Sequence, residues 1–516
     1  MRRDGFLALV VIASLMAVTG FAAAAAPAPR GGTLIIADGV DAETLDGHLY
    51  TSSPTAERMN HICETLFDLT PEGKLVPKLA VSYTISADGR RVTLKLRSGV
   101  KFHDGTPLDA RAVKFNLDRI LDRETRAPWR GLIDRVQEVV MLDPSTVVLL
   151  LSTPFAPLLA HLSHSGTCIQ SPTAIATKGA GYARSPVGTG PFKFKEWVSG
   201  DRVVVTRFDD YWGEKASLDE IQWKVIPDDG ARVAAVEAGT VHVAKRVPPR
   251  EIERLRGIRA LRVEIVPSLR TIFVAFNTQR PPFNNKKVRQ ALNHAVNKEA
   301  IVKAILGGTA RVSDAPIAPA VQGYSSIQTY PYDPDRARAL LREAGFPTGL
   351  KAVFHHPTGR YIRDVEIAAA IQGLARRIGV DLELQTMDWA TYVSFVRKPL
   401  AENATQMHML GWGTVTGDAD YGLYQLFHSA SWPPLFFNTA FYKNPQVDSL
   451  LDRARTTFDQ SERNRLYRQA MEIIVDDAPW IFLHSESQVT AYRAEVGGVF
   501  MHPQERLVAQ GGFLRR

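Results

Sequence analysis

The stretch Met409 to Tyr442, MLGWGTVTGDADYGLYQLFHSASWPPLFFNTAFY, concentrates the residue types that hold small molecules. Gly411-Trp412-Gly413 sets one indole between two residues without a Cβ, so the backbone can come close to a ligand while a large ring is aimed at it. Thr414 follows, and Asp418 and Asp420 bring two carboxylates near that ring. Such a set suits a ligand with positive or hydrogen-donating groups. The same residues equally fit a buried Trp in a turn, its aspartates accepting local backbone N–H groups. A second candidate is Arg360 in His355-His356-Pro357-Thr358-Gly359-Arg360-Tyr361. It falls just after a short apolar strand, where open α/β sheets place ligand contacts. Its planar fork matches a carboxylate; the alternative is a solvated loop arginine.

Catalytic and metal chemistry find weaker support. Leu162-Ser163-His164-Ser165-Gly166 superficially suggests a hydrolase elbow, but Leu162 stands where the first Gly belongs. His161, His164 and Cys168 could ligate a metal, as could His355-His356, yet the chain has no HExxH and no paired CxxC. The Gly-rich Pro186-Val187-Gly188-Thr189-Gly190-Pro191-Phe192 lacks a following Lys-Ser/Thr and enters a strand pattern, so it is not a phosphate loop. No cofactor is expected.

The elements that must position these residues fill a chain of 516 residues, too long for one core. Its composition is ordinary globular, 45% hydrophobic and 22% charged. The net charge of +8 is scattered, as in Asp335-Arg336-Ala337-Arg338, with no basic block, which argues against nucleic acid. Arg2-Arg3, the apolar run Phe6 to Val18 and the small residues Ala22 to Ala26 have the layout of a cleavable secretory signal over residues 1–26. Only Cys63 and Cys168 occur. In an oxidising compartment they either pair or remain two buried thiols.

Leu79 to Gly89 reads as a strand ending in an Asp88-Gly89 turn, and Arg91 to Arg97 returns as the second arm of that hairpin. Asp109 can cap a helix carrying Val113, Leu117 and Ile120. Residues 56–68 carry apolar positions at helical spacing, and 285–306 present one long apolar helical face. Crossings between lobes are read at 186–192 and near Pro267-Ser268. Strands at 271–277, 352–354, 380–384 and 478–483 alternate with helices, which predicts an α/β lobe with a largely parallel sheet.

Several of these segments resemble the recurring motifs of extracytoplasmic solute-binding proteins of peptide-type ABC importers (family 5). They are Leu79 to Pro107, Pro186 to Phe192, Tyr211-Trp212-Gly213, Lys287 to Leu292 and Tyr332-Asp333-Pro334, in the family's order. Gly417 to Tyr421 and Trp432 to Tyr442 are most similar to the glutathione-binding and dipeptide-binding branch. The resemblance implies an α/β, two-lobed periplasmic binding protein with a hinge. Lobe I would take 27–65, 187–268 and 483–516, with an extra α/β subdomain at 66–186, and lobe II would take 269–482. It implies a monomeric periplasmic receptor, not an enzyme, that captures glutathione, a di- or oligopeptide or a related solute. Its partners would be ABC permease and ATPase subunits. A non-peptide solute on the same fold and a secreted hydrolase are the alternatives.

By the same resemblance the ligand contacts would be Arg360, Tyr361, Gly411, Trp412, Gly413, Thr414, Asp418 and Asp420. Relatives that bind plain peptides carry an amine-binding Asp three residues after the Trp, where this chain has Val415. Asp418 or Asp420 would then substitute for it, or else cap the helix Tyr421 to Phe427.

Overall fold

A computed structural model describes residues 29–515. The signal-peptide reading of residues 1–26 lies outside that range. Among the described residues no helix is long and apolar enough to cross a membrane.

One sheet of eleven strands runs through the whole molecule. Its two longest strands, Leu261–Phe276 and Trp480–Arg493, pair antiparallel along nearly their full length and belong to both lobes. Strand Thr33–Asp38 and its neighbours extend the sheet on one side, and strands Met407–Gly413, Leu350–Pro357 and Val380–Met387 on the other. The ladder between the two long strands is interrupted between Pro267 and Thr271. That break coincides with the crossing expected near Pro267-Ser268, and it is where the lobes meet.

The sheet is mixed, which corrects the expectation of a largely parallel one. Leu350–Pro357 is parallel to both its neighbours, but Met407–Gly413 runs antiparallel to Leu261–Phe276. The reason is topological: the central strands enter lobe II from lobe I and return, and such a pair runs in opposite directions. The last strand, expected at 478–483, continues to Arg493 because its second half serves lobe I.

Two helical expectations also change. The 56–68 pattern forms helix Ser53–Ile62, and Phe67 already belongs to a strand. The 285–306 face is split into Lys286–Ala295 and Lys298–Ala304, because the Asn297 side chain accepts the Ala300 N–H and starts a new helix.

The insertion carries the expected hairpin, Ala80–Ile85 with Arg91–Leu96, inside a four-stranded antiparallel sheet. Helix Ala110–Leu121 covers it, and Asp109 caps that helix by accepting the Arg111 and Ala112 N–H groups. The Gly-rich 186–192 segment packs closely against the end of helix Ser53–Ile62. Its glycines are needed for close approach: a Cβ on Gly188 would sit 2.1 Å from the Ile62 carbonyl oxygen, and one on Gly190 2.5 Å from that of His61. Nearby, Cys63 and Cys168 form a disulfide that fastens the insertion to the end of helix Ser53–Ile62.

Candidate functional site

A cavity of ≈ 110 Å³ lies between the lobes beside the break in the long strands. Lobe I contributes Tyr50, Thr51 and Ser53, and the insertion adds Trp129 and His164. Lobe II contributes helix Trp389–Val396 and the end of strand Met407–Gly413. The Trp129 ring stacks on Phe437 with centroids 5.6 Å apart, and Phe437 lies 4.8 Å from Trp412. Both indole N–H groups are engaged: Trp129 donates to the Tyr50 carbonyl at 2.8 Å and Trp412 to the Tyr421 carbonyl at 3.2 Å. The packed rings form an apolar wall of the cavity.

Glycine at 411 is a steric requirement. A Cβ there would lie 2.4 Å from Ile272 and 2.9 Å from the Tyr361 ring. The Gly411 backbone is already committed, since its N–H donates to the Tyr361 hydroxyl and its carbonyl accepts from Arg270, each at 2.8 Å. The Thr414 N–H donates to Leu269 at 2.9 Å, and Thr414 is buried behind the wall. Of the residues expected to touch ligand, Gly411, Trp412 and Gly413 line the cavity; Tyr361 and Thr414 support it from behind.

Arg270, which sequence reasoning missed, is the joint of the site. Its guanidinium is clamped by both oxygens of Glu505, bonds the Gly411 carbonyl, and reaches Ser53 of lobe I at 3.0 Å. One arginine thus ties the hinge strand to both walls, and its charge is compensated. Glu486, on the other long strand, lies 3.8 Å from it. Burial and the neighbouring Glu505 carboxylate push the Glu486 pKa up to about 6 against the pull of Arg270 and Arg360. Burial alone would raise Glu505 too, but Arg270 holds it below the ordinary range.

Arg360 differs from Arg270. Its loop is rigid, because the Gly359, Arg360 and Tyr361 N–H groups all converge on the Asp364 carboxylate at 2.9–3.2 Å. The side chain is 6% exposed and lies over the Tyr361 and Trp389 rings at 4.9 and 5.0 Å. Its Nε has no hydrogen-bond partner, and no carboxylate is within ion-pair distance among the described residues. It stands one layer behind the cavity, with Trp389 between. Arg397 lines the cavity directly, 4.3 Å over the Phe437 ring. Burial presses on the pKa of both cations, and at Arg360 the Arg270 charge adds to it.

The two aspartates turn away, which corrects the expectation that one of them faces the ligand. Asp418 caps helix Ala419–Phe427, and both its oxygens accept from Arg463 at 2.8 Å. Asp420 is fully buried, 2.9 Å from Arg455 and 3.2 Å from His161. Their sequence partners lie 35 to 259 residues away, beyond any local signal. Val415 does line the cavity, and it is shared with a second cavity of ≈ 190 Å³ on the lobe I side. That second space holds charges that satisfy each other, such as Arg506 with Asp68 at 2.7 Å. Glu64 there accepts from Tyr211, Trp212 and Thr189 at 2.7–2.9 Å.

The residues of the other chemistries are engaged elsewhere. Ser163 donates to the Ala160 carbonyl at 2.7 Å and Ser165 bonds Tyr50, so neither meets His164. His164 accepts the Gly166 N–H and contacts the Tyr421 hydroxyl at 3.2 Å. Its burial drops its pKa to about 3, so it is neutral in the wall.

Residues 74–434 match the family described as bacterial extracellular solute-binding proteins, family 5. The chain is 35% identical over 503 residues to the glutathione-binding protein GsiB of Shigella flexneri, covering 97% of this chain and 96% of that one. Its structure matches the periplasmic binding protein DppA of Helicobacter pylori in complex with the peptide STSA. The TM-score there is 0.87 with 30% identity, over 95% of this chain and 99% of that one. It also resembles AgaA from A. tumefacien R10 in complex with agropinic acid, with TM-score 0.84 and 26% identity, over 94% and 99% of the chains. These likenesses span both lobes, the hinge and the insertion. The chain belongs to the bacterial extracellular solute-binding proteins of family 5, and its role is that of a substrate-binding receptor.

Proposed function

We propose that this receptor captures a small peptide-like solute, glutathione or a short peptide, between its lobes in the periplasm. It then delivers the solute to an ABC permease driven by ATPase subunits. The observation that carries the reading is Arg360, a buried cation at the hinge with no carboxylate within ion-pair distance among the described residues, on which Glu505 and Glu486 act only at longer range. Leaving such a charge unpaired costs several kcal/mol. A ligand carboxylate supplies the missing partner, reaching Arg360 past the edge of Trp389. The relatives named for glutathione and peptide binding support the same ligand class.

The mechanism is closure without chemistry. Ligand pockets for solutes of this kind occupy about 300–1,000 Å³. The cavity of ≈ 110 Å³ is smaller than that, so the lobes part about the break in the long strands to admit such a solute and close on it less fully than they do here. The ligand favours closure because only the closed state gives it both walls at once.

A non-peptide acid such as an opine is the second reading. It is favoured by the absence of any carboxylate among the cavity-lining residues described, so nothing there selects an α-amine by an ion pair. Native mass spectrometry of the freshly purified chain separates the two. A retained mass matching glutathione or a short peptide is expected. A sugar, an opine or a metal chelate would overturn the peptide assignment. Incubation with peptides should yield no cleavage products.

A further inference from the structure

We infer that Arg397 is a second carboxylate anchor, and that the ligand is a linear solute of about tripeptide length with an acid group at each end. This rests on the cavity being the solute site proposed above.

Arg397 ends helix Trp389–Val396, which runs along the cavity with Val393 and Val396 in its wall. The guanidinium is fixed from two sides, by Phe437 beneath it and by a 3.0 Å hydrogen bond from Nη2 to the Pro434 carbonyl. Its buried Nε has no partner, and Nη1 makes no hydrogen bond among the described residues. A preorganised fork with spare donors, opening on a cavity, suits a carboxylate. No Asp or Glu lines the cavity, the Glu43 carboxylate acts on Arg397 only from outside the wall, and the other lining arginine, Arg270, is taken by Glu505.

The spacing sets the ligand. Arg360 packs on Trp389 at the start of the helix, and Arg397 follows its end. Eight residues at 1.5 Å each separate the two ends by about 12 Å. Three extended residues span about 10 Å, so one acid at each end of a tripeptide-length chain reaches both arginines, whereas a dipeptide does not. The ligand's amine meets aromatic faces such as Trp412 rather than a carboxylate.

Calorimetry with three probes tests this. They are glutathione, its glycine amide, and 4-aminobutyryl-cysteinyl-glycine, which lacks the acid at the other end. The wild type should bind glutathione at least tenfold more tightly than either mono-acid. Arg397→Gln should erase the preference over one mono-acid and keep the preference over the other, with Arg397→Lys restoring part of it. A melting curve unchanged within a few degrees would establish that the variant is folded. Equal wild-type affinity for all three probes, or an Arg397→Gln variant that weakens all three alike, would overturn the anchor and leave the receptor reading intact. The same holds if only a neutral dipeptide such as Met-Leu binds. Failure to bind any peptide would sink both readings.

Discussion

Two sets of buried charge lie near one another and obey opposite logic. Behind Trp412, Asp418 and Asp420 are closed on Arg463, Arg455 and His161, so each ion taken out of water has a partner within the fold. At the cleft, Arg397 lines the cavity and Arg360 stands one layer behind it, and neither has a carboxylate within ion-pair distance among the described residues. The first set is close to neutral when intact and costly when one partner is removed. The second costs stability by itself and recovers that cost only with a ligand. Neither burial nor an unfilled donor marks a functional charge by itself, since Arg455 Nη1 and Arg463 Nε also lack a hydrogen-bond partner; what separates the sets is whether the cation has a carboxylate within ion-pair distance.

The sharpest way to break this comparison is to substitute one member of each set. Asp420→Ala leaves Arg455 uncompensated in the interior and should cost about 3–5 kcal/mol of unfolding free energy. Urea denaturation measures that loss, and the folded fraction should bind ligand as before. Arg360→Met should behave in the reverse way. Its melting temperature holds or rises, because a lone buried cation is removed, while ligand affinity falls by about 2–5 kcal/mol. If Asp420→Ala mainly weakens binding, or Arg360→Met mainly destabilises, the division between the sets is wrong.

That division was half visible in the sequence. Arg360 follows a strand end and is of the residue type that grips carboxylates, which makes it a candidate from the sequence. Asp418 and Asp420 looked equally good, and the helix-capping alternative for Asp418 turned out to be its actual duty. What separates them is long-range: Arg455 and Arg463 come from two later helices, and His161 from the insertion. Arg270 and Trp129 were missed for the same reason, since neither stands in a motif and both act only through partners across the hinge. The local signals fared better. The Asp109 cap and the Asp88-Gly89 hairpin both depend on neighbours within a few residues. Strand direction in the central sheet does not, and there the parallel expectation failed.

Glu486 stands between the two sets and offers a smaller effect with a definite sign. Its folded pKa of about 6 lies above the ordinary 4.5, so the folded state holds its proton more tightly than the unfolded chain. The stability linked to it is fully present below pH 4.5 and lost as pH rises through 6, about 2 kcal/mol in all. Asp420, by contrast, is held well below the carboxylate range by Arg455 and His161 despite its burial, so its contribution disappears only in acid. Between pH 5 and 7 the difference between wild type and Glu486→Gln therefore isolates Glu486. The variant should be the more stable at pH 7, and the two denaturation midpoints should converge toward pH 4.5. Parallel curves across that range would mean the group does not titrate there.

The smallest expected effect concerns Val415, and it tests whether the open set is purely cationic by design of the sequence. Val415 lines both cavities, and its carbonyl is held by Gln504, so the position of its side chain is fixed by the backbone. Val415→Asp would place a carboxylate where none now lines the wall. A charge-assisted hydrogen bond to a ligand ammonium is worth about 1.5–3 kcal/mol, and the cost of bringing the new carboxylate into a half-buried wall cancels part of that. The net gain for a free-amine dipeptide such as Met-Leu should be about tenfold or less by calorimetry. Acidic ligands should bind no better, and the nearby cations would draw the new carboxylate toward themselves. If Val415→Asp instead improves acidic and zwitterionic ligands equally, the ammonium is not what position 415 reads, and the preference of this cleft lies with its arginines alone.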